Sequence, residues 1–169
     1  TFAGLFITGT AGARTLLFSS AGLTPDTSAT VTVTAGAATQ IAINAGNGQV
    51  ASVNTAVGTP PSVLVRDVSN NPVSGVAVTF AVTGGGGTLG APLVVATNAS
   101  GIATIASWTL GTTAGTNNNT LTATSGGLVG SPIIFTASAT AGVATQIAVN
   151  AGNDQTAIAG SAVATPPSV

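Results

Sequence analysis

The chain has 169 residues but only five charged side chains, Arg14, Asp26, Arg66, Asp67 and Asp154, and it contains no Lys, Glu, His, Cys, Met or Tyr. Those absences exclude disulfide staples, Lys–Asn isopeptide cross-links and zinc, copper or iron centres, and they leave no clustered cations to meet nucleic acid. Hydrophobic residues make up 44% of the chain. They are mostly Ala and Val interleaved with Thr, Gly and Ser, and no run approaches the ~18–20 apolar residues needed to span a bilayer.

No basic-then-apolar leader opens the chain, so a soluble or at least non-membrane-spanning segment is expected. High apolar content with low net charge is the reverse of the disordered signature. Few charges also mean few solubilising groups, which favours self-association.

In chain order, residues 9–23 read "GTAGARTLLFSSAGL" and residues 30–36 read "TVTVTAG". From residue 37 onward the apolar period is two. The expected strands are 39–44, 50–57, 62–67, 76–82, 92–97, 102–110, 119–124 and 133–140. "GVAVTFAV" (75–82) sets Val76, Val78, Phe80 and Val82 against Ala77, Thr79 and Ala81. "GIATIASWTL" (101–110) is expected to place Ile102, Thr104, Ala106, Trp108 and Leu110 on one face. "IIFTASAT" (133–140) sets Ile133, Phe135, Ala137 and Ala139 against Ile134, Thr136 and Ser138. Successive side chains of a strand point to opposite faces, so such alternation fits a half-buried strand. Turn clusters separate the runs: "SNNP", "GGGG", "NASG", "TAGTNNN" and "SGGLVGSP". No window supports a helix, because Gly, Thr and Val interrupt throughout. Seven or eight short strands in about 100 residues read as a β-sandwich, with Trp108, Phe80, Val78, Val65, Leu121 and Phe135 as its core.

The chain repeats itself. Residues 38–63 align without a gap to residues 144–169, and 18 of the 26 positions are identical. "TVTVTAG" (30–36) stands 106 positions before "TASATAG" (136–142), and 9–23 resembles 111–128 with small length changes. The expected organisation is therefore the C-terminal part of one repeat (1–36), a complete repeat (37–142) and the N-terminal part of the next (143–169). A period near 100 is too long for a solenoid unit and fits a string of small domains. No long flexible linker separates the copies, so stiff end-to-end coupling is expected. Neither flanking fragment can close a sandwich alone. The expectation is a window on a longer array, packed where neighbouring copies cover weakly charged, Thr-rich faces.

The stretches "SVLVRDVSNNPVSGVAVTFAV" (62–82), "TNASGIATIASWTLG" (97–111) and "TNNNTLTATSGG" (116–127) together resemble the bacterial immunoglobulin-like group-one domain. That family forms the repeats of invasin- and intimin-type surface proteins. Matching positions are Val63, Val65, Asp67, Asn71, Pro72, Val73, Val76, Val78, Phe80, Gly101, Ala103, Trp108, Leu110 and Gly111. The chain departs at Asn70, where Gly is usual, and at Asn98, where Asp is usual. Asn tolerates the left-handed conformation and caps turns, so both changes are compatible with the fold. The resemblance implies an all-β fold of tandem immunoglobulin-like antiparallel β-sandwiches. It also implies the alternative of an adhesin stalk whose receptor contact lies in domains absent from these residues.

Candidate chemistry is sparse. "GGGTLG" (85–90) matches G-x-G-x-x-G, but a dinucleotide site needs a following helix and an acid about 20 residues on, and neither is present. Asp67 is read as a strand-end Asx turn accepting N–H groups of residues 68–70. Asp154 has Gly48 as its counterpart, so no repeated calcium site is expected. Nucleophilic catalysis lacks a His, Lys or Glu base. The Thr arrays, 29 residues in all, read as outward positions of strands, and "TAGTNNNT" (113–120) as a solvated hairpin. No catalytic, cofactor-binding or metal residue is assigned and no enzyme activity is expected. The expected function is a structural segment of a bacterial extracellular or cell-surface fibre whose partner is itself.

Overall fold

The computed structural model describes residues 4 and 6–169, and among these every regular element is a β-strand. The first segment holds β1 (Gly12–Arg14), β2 (Leu17–Phe18), β3 (Asp26–Thr27) and β4 (Val31–Val33), with β1 paired to β4 and β2 to β3, both antiparallel. Ten strands follow within 37–142. They are β5 (Ala38–Ala45), β6 (Gln49–Ser52), β7 (Ser62–Asp67), β8 (Ala77–Gly84), β9 (Thr88–Leu89), β10 (Val94–Ala96), β11 (Ile102–Thr104), β12 (Trp108–Thr109), β13 (Gly115–Thr124) and β14 (Ile133–Thr140).

A five-stranded sheet runs β10-β8-β13-β14-β6, and a three-stranded sheet runs β11-β7-β5, with β12 and β9 forming a separate pair. Both larger sheets send side chains into one core. Ile41, Val63, Val65 and Ala103 enter from one sheet, and Val78, Phe80, Leu121, Ala123, Phe135 and Ala137 from the other. Trp108, Ile105 and Leu110 join the same cluster. All six residues expected in the core are there. The alternation of "IIFTASAT" also holds, with Phe135, Ala137 and Ala139 buried.

Four expectations are corrected. The sheets are not wholly antiparallel, because β6 lies parallel to β14, with Gln49 opposite Ala137 and Ser52 opposite Thr140. The chain leaves the three-stranded sheet after β5, turns at Gly46 (φ +85°) and Gly48 (φ +68°), and reaches the other sheet beside its last strand. The strand expected over 50–57 ends at Ser52, since Asn54 adopts φ +59° and turns the chain.

The run 102–110 is two strands, not one. Ala103 and Ile105 are buried, then Trp108 and Leu110, so the inward face shifts by one residue between them. The physical reason is a change of partner: β11 pairs with β7, whereas β12 pairs with β9. Finally, "TAGTNNNT" is not a solvated hairpin. Most of it lies in β13, across a bulge between Gly115 and Asn119, and Asn119 is fully buried with its Oδ1 accepting from the Gly111 N–H at 2.9 Å.

Candidate functional site

Strand β7 stops where Asp67 begins the turn "DVSNN". Asn70 takes φ +63°, the conformation its side chain tolerates and in which most L-residues are strained. Asp67 Oδ1 accepts the Ser69 N–H at 2.8 Å and the Asn71 N–H at 2.9 Å. An Asx turn forms as expected, but its donors are residues 69 and 71 and not the run 68–70, because the Asn70 N–H bonds the Asp67 carbonyl instead. The second carboxylate oxygen accepts from Asn71 Nδ2 at 2.9 Å and from the Gly36 N–H at 2.8 Å. Both side chains are nearly enclosed, at 3% exposure each.

Four N–H donors converge on one carboxylate, and a carboxylate so solvated by fixed dipoles holds its charge. The Asn71 amide is the largest influence and the Gly36 amide the next. Together with the Asn71 and Ser69 N–H groups they outweigh desolvation and hold Asp67 down at about 2, against an ordinary 3.8.

Asn71 carries the connection further. Its Oδ1 accepts the Ala11 N–H at 2.7 Å, and its Nδ2 donates to the Gly9 carbonyl at 3.2 Å. The turn at 67–71 therefore grips two separate points of the preceding segment, residues 9–11 and Gly36. A cleft lined by Thr10, Ala11, Thr34, Ala35, Asn71 and Pro72 runs along this contact. Behind the turn, Gln40 Nε2 donates to the Asp67 carbonyl and to Asn70 Oδ1, both at 3.0 Å, which ties it to β5. Sequence reasoning missed this contact. The available signal was the doublet "TAG" at 10–12 and 34–36, whose small residues let backbone approach the buried Asn71 carboxamide and the buried Asp67 carboxylate closely.

A second local arrangement occurs twice. Gln49 donates from Nε2 to the Gly46 carbonyl at 2.9 Å and to the Thr59 carbonyl at 2.7 Å, while its Oε1 accepts the Thr59 N–H at 2.7 Å. Gln155 makes the same three bonds to Gly152 and Thr165 at 2.9, 2.7 and 2.7 Å. Asn44 donates to Ser62 Oγ and Asn150 to Ser168 Oγ. Asp154, in the place of Gly48, adopts φ +54°. Its conformation thus repeats that of its glycine counterpart, and its Oδ2 accepts from Asn153 Nδ2 at 3.0 Å.

The remaining candidates are structural. Gly85 and Gly86 have φ of +83° and +71°, and "GGGTLG" leads into β9, not into a helix N-terminus. A Cβ on Gly111 would fall within the van der Waals shell of the Gly85 carbonyl, so this glycine-rich run serves close backbone packing. Asn98 caps its turn, its Oδ1 accepting from the Ser100 and Ile102 N–H groups at 2.9 and 3.1 Å. Asp26, Asp67 and Asp154 stand in three separate segments. Among the described residues no three acidic or metal-ligating side chains gather, and no helix is long and apolar enough to cross a membrane. Comparison with protein families, curated proteins and solved structures finds no match.

Proposed function

We propose that this chain is a tandem-repeat segment of a bacterial extracellular or cell-surface fibre, each complete repeat an immunoglobulin-like β-sandwich whose task is stiff extension and assembly. The observation that carries the reading is the turn at 67–71, where one buried carboxylate and one buried carboxamide of the complete repeat bind the backbone of the segment before it. A junction of directed hydrogen bonds on an enclosed carboxylate restricts bending far more than a solvated linker does.

The apolar surface supports the same reading. Leu17, Leu23, Val143, Ile147 and Ile158 of the two partial copies are each more than two-thirds exposed, as are Val68 and Val129 of the complete repeat. In the complete repeat the counterpart of Ile147 is Ile41, which is 4% exposed. Such side chains suit coverage by further copies of the same unit. The resemblance to group-one immunoglobulin-like repeats supports the location outside the cell.

The test is electron microscopy of material purified from the producing cells. Filaments with one lobe of density per 106 residues of chain are expected. Isolated particles of single-chain mass would sink the proposal.

A further inference from the structure

Two parts of this chain that resemble each other in sequence are matched residue by residue by the strand register. Gly12 opens β1 opposite Val33, and Gly115 opens β13 opposite Ala139. Val33 and Ala139 are 106 positions apart, the repeat offset, and "TAG" ends at both Gly12 and Gly115. Ala114 therefore corresponds to Ala11, Thr112 to Gly9, and Gly142 to Gly36. In the first copy these three positions are the ones held by Asp67 and Asn71. In the second copy Thr112, Ala114 and Gly142 are exposed, and neither the Ala114 nor the Gly142 N–H meets an acceptor among the described residues.

We infer that Thr112, Ala114 and Gly142 form a docking surface whose occupant is the Asp-x-x-x-Asn turn of another copy of this repeat. The surface offers two N–H donors and one carbonyl. The turn offers a carboxylate oxygen, a carboxamide oxygen and a carboxamide N–H, so donors and acceptors match one for one. The match also fixes direction, because the C-terminal end of one copy meets the β7 end of the next. Asn118 prepares the site. Its Nδ2 donates to the Thr113 carbonyl at 2.7 Å, as Arg14 Nη2 donates to the equivalent Thr10 carbonyl at 2.6 Å, and each restrains the corner before its strand. This inference rests on the array reading and specifies its joint.

Val169 corresponds to Val63, so lengthening the full chain after Val169 by its own residues 64–142 creates a second complete repeat. Amide hydrogen exchange is then compared at Ala114 and Gly142 in the original and lengthened chains. Both should slow by about tenfold or more when the appended copy is present. Asn71→Ala in the appended copy alone should release Ala114 first, and Asp67→Ala there should release Gly142. An appended copy that is folded, as reported by its own buried tryptophan, without slowing either amide overturns the inference. So does free exchange of Ala11 and Gly36 in the 169-residue chain, which needs no added repeat. Filaments seen in micrographs together with either result would remove this joint and leave the fibre reading standing.

Discussion

Trp108 is the only tryptophan and its side chain is fully buried, yet its indole N–H meets no acceptor among the described residues. Two opposing terms follow. Burying an aromatic side chain removes ~150–250 Å² from water, and at about 25 cal/mol per Å² this favours folding by roughly 4–6 kcal/mol. An unmet buried donor costs about 1–3 kcal/mol. Trp108→Ala loses the first term and relieves the second, so a net loss of about 3 kcal/mol is expected, at the low end for aromatic truncation. Phe80→Ala, at 1% exposure and with no polar atom to relieve, should cost as much or more, about 3–5 kcal/mol. Trp108→Phe keeps most of the apolar contact, deletes the orphan donor and should cost only about 1–2 kcal/mol. Thermal unfolding of the 169-residue chain followed by circular dichroism measures all three. For a unit of about 100 residues, 3 kcal/mol corresponds to a fall in Tm of more than about 10 °C. A Trp108→Ala protein melting within a degree or two of the parent would refute the core assignment. A Trp108→Phe protein as unstable as Trp108→Ala would refute the argument about the N–H.

Gly46→Ala places a Cβ 2.7 Å from Pro61 Cα at φ +85°, and should lower the melting transition by the equivalent of roughly 2 kcal/mol or more. Gly152→Ala makes the matching clash with Pro167 at 2.6 Å but touches no core residue, so the same scan should show no shift. Asp67 has its pKa lowered on folding to about 2, so its contribution is present above the ordinary carboxylate range and is lost as pH falls from about 4 through about 2. Acid titrations of Asp67→Asn should lack that step, and an unchanged acid profile would argue against the buried carboxylate. Trypsin should cut after Arg14, in three-residue β1, well before Arg66, which sits in the central strand of its sheet. Equal rates on a gel would contradict this order. Neither EDTA nor a reductant should move the transition, since the chain has no cysteine and its described acids do not cluster.

Period-two alternation located most strands because it reports which face each side chain needs, and burial is what decides a half-exposed strand. It failed at 102–110 for a reason alternation cannot encode. Ala106 and Ser107 are small enough to face either way, so nothing in "IATIASWTL" marks where the chain leaves β7 and joins β9. Parallel β6 escaped for a similar reason. The pattern of a strand shows which side chains go inward but not the direction of its neighbour. "NNN" at 117–119 suggested solvent because Asn is usually exposed. Here the bulge in β13 turns Asn119 inward to meet the Gly111 N–H, a pairing eight residues away that composition alone does not reveal.

The two copies of "ATQIA" separate what the local sequence encodes from what tertiary contact adds. Residues 38–45 form β5 beside β7, and Ile41 is 4% exposed. Residues 144–151 share seven of those eight positions, yet they form no strand and leave Ile147 79% exposed. The 106-residue offset puts the counterpart of β7 at 168–173, so most of the pairing strand is absent from this sequence. The Gln clasp nevertheless closes in both copies, with bond lengths equal within 0.1 Å. Its glycine and threonine lie 3 and 10 residues from the glutamine in both copies, so the bonds that close it are local. The strand needs a partner. Asp67 belongs to the second kind: an Asx turn there is readable from the sequence, but the Asn71 donor lies one residue beyond the expected 68–70 and the bond to Gly36 spans 31 residues. The junction became visible only once the fold had brought the preceding segment to the turn.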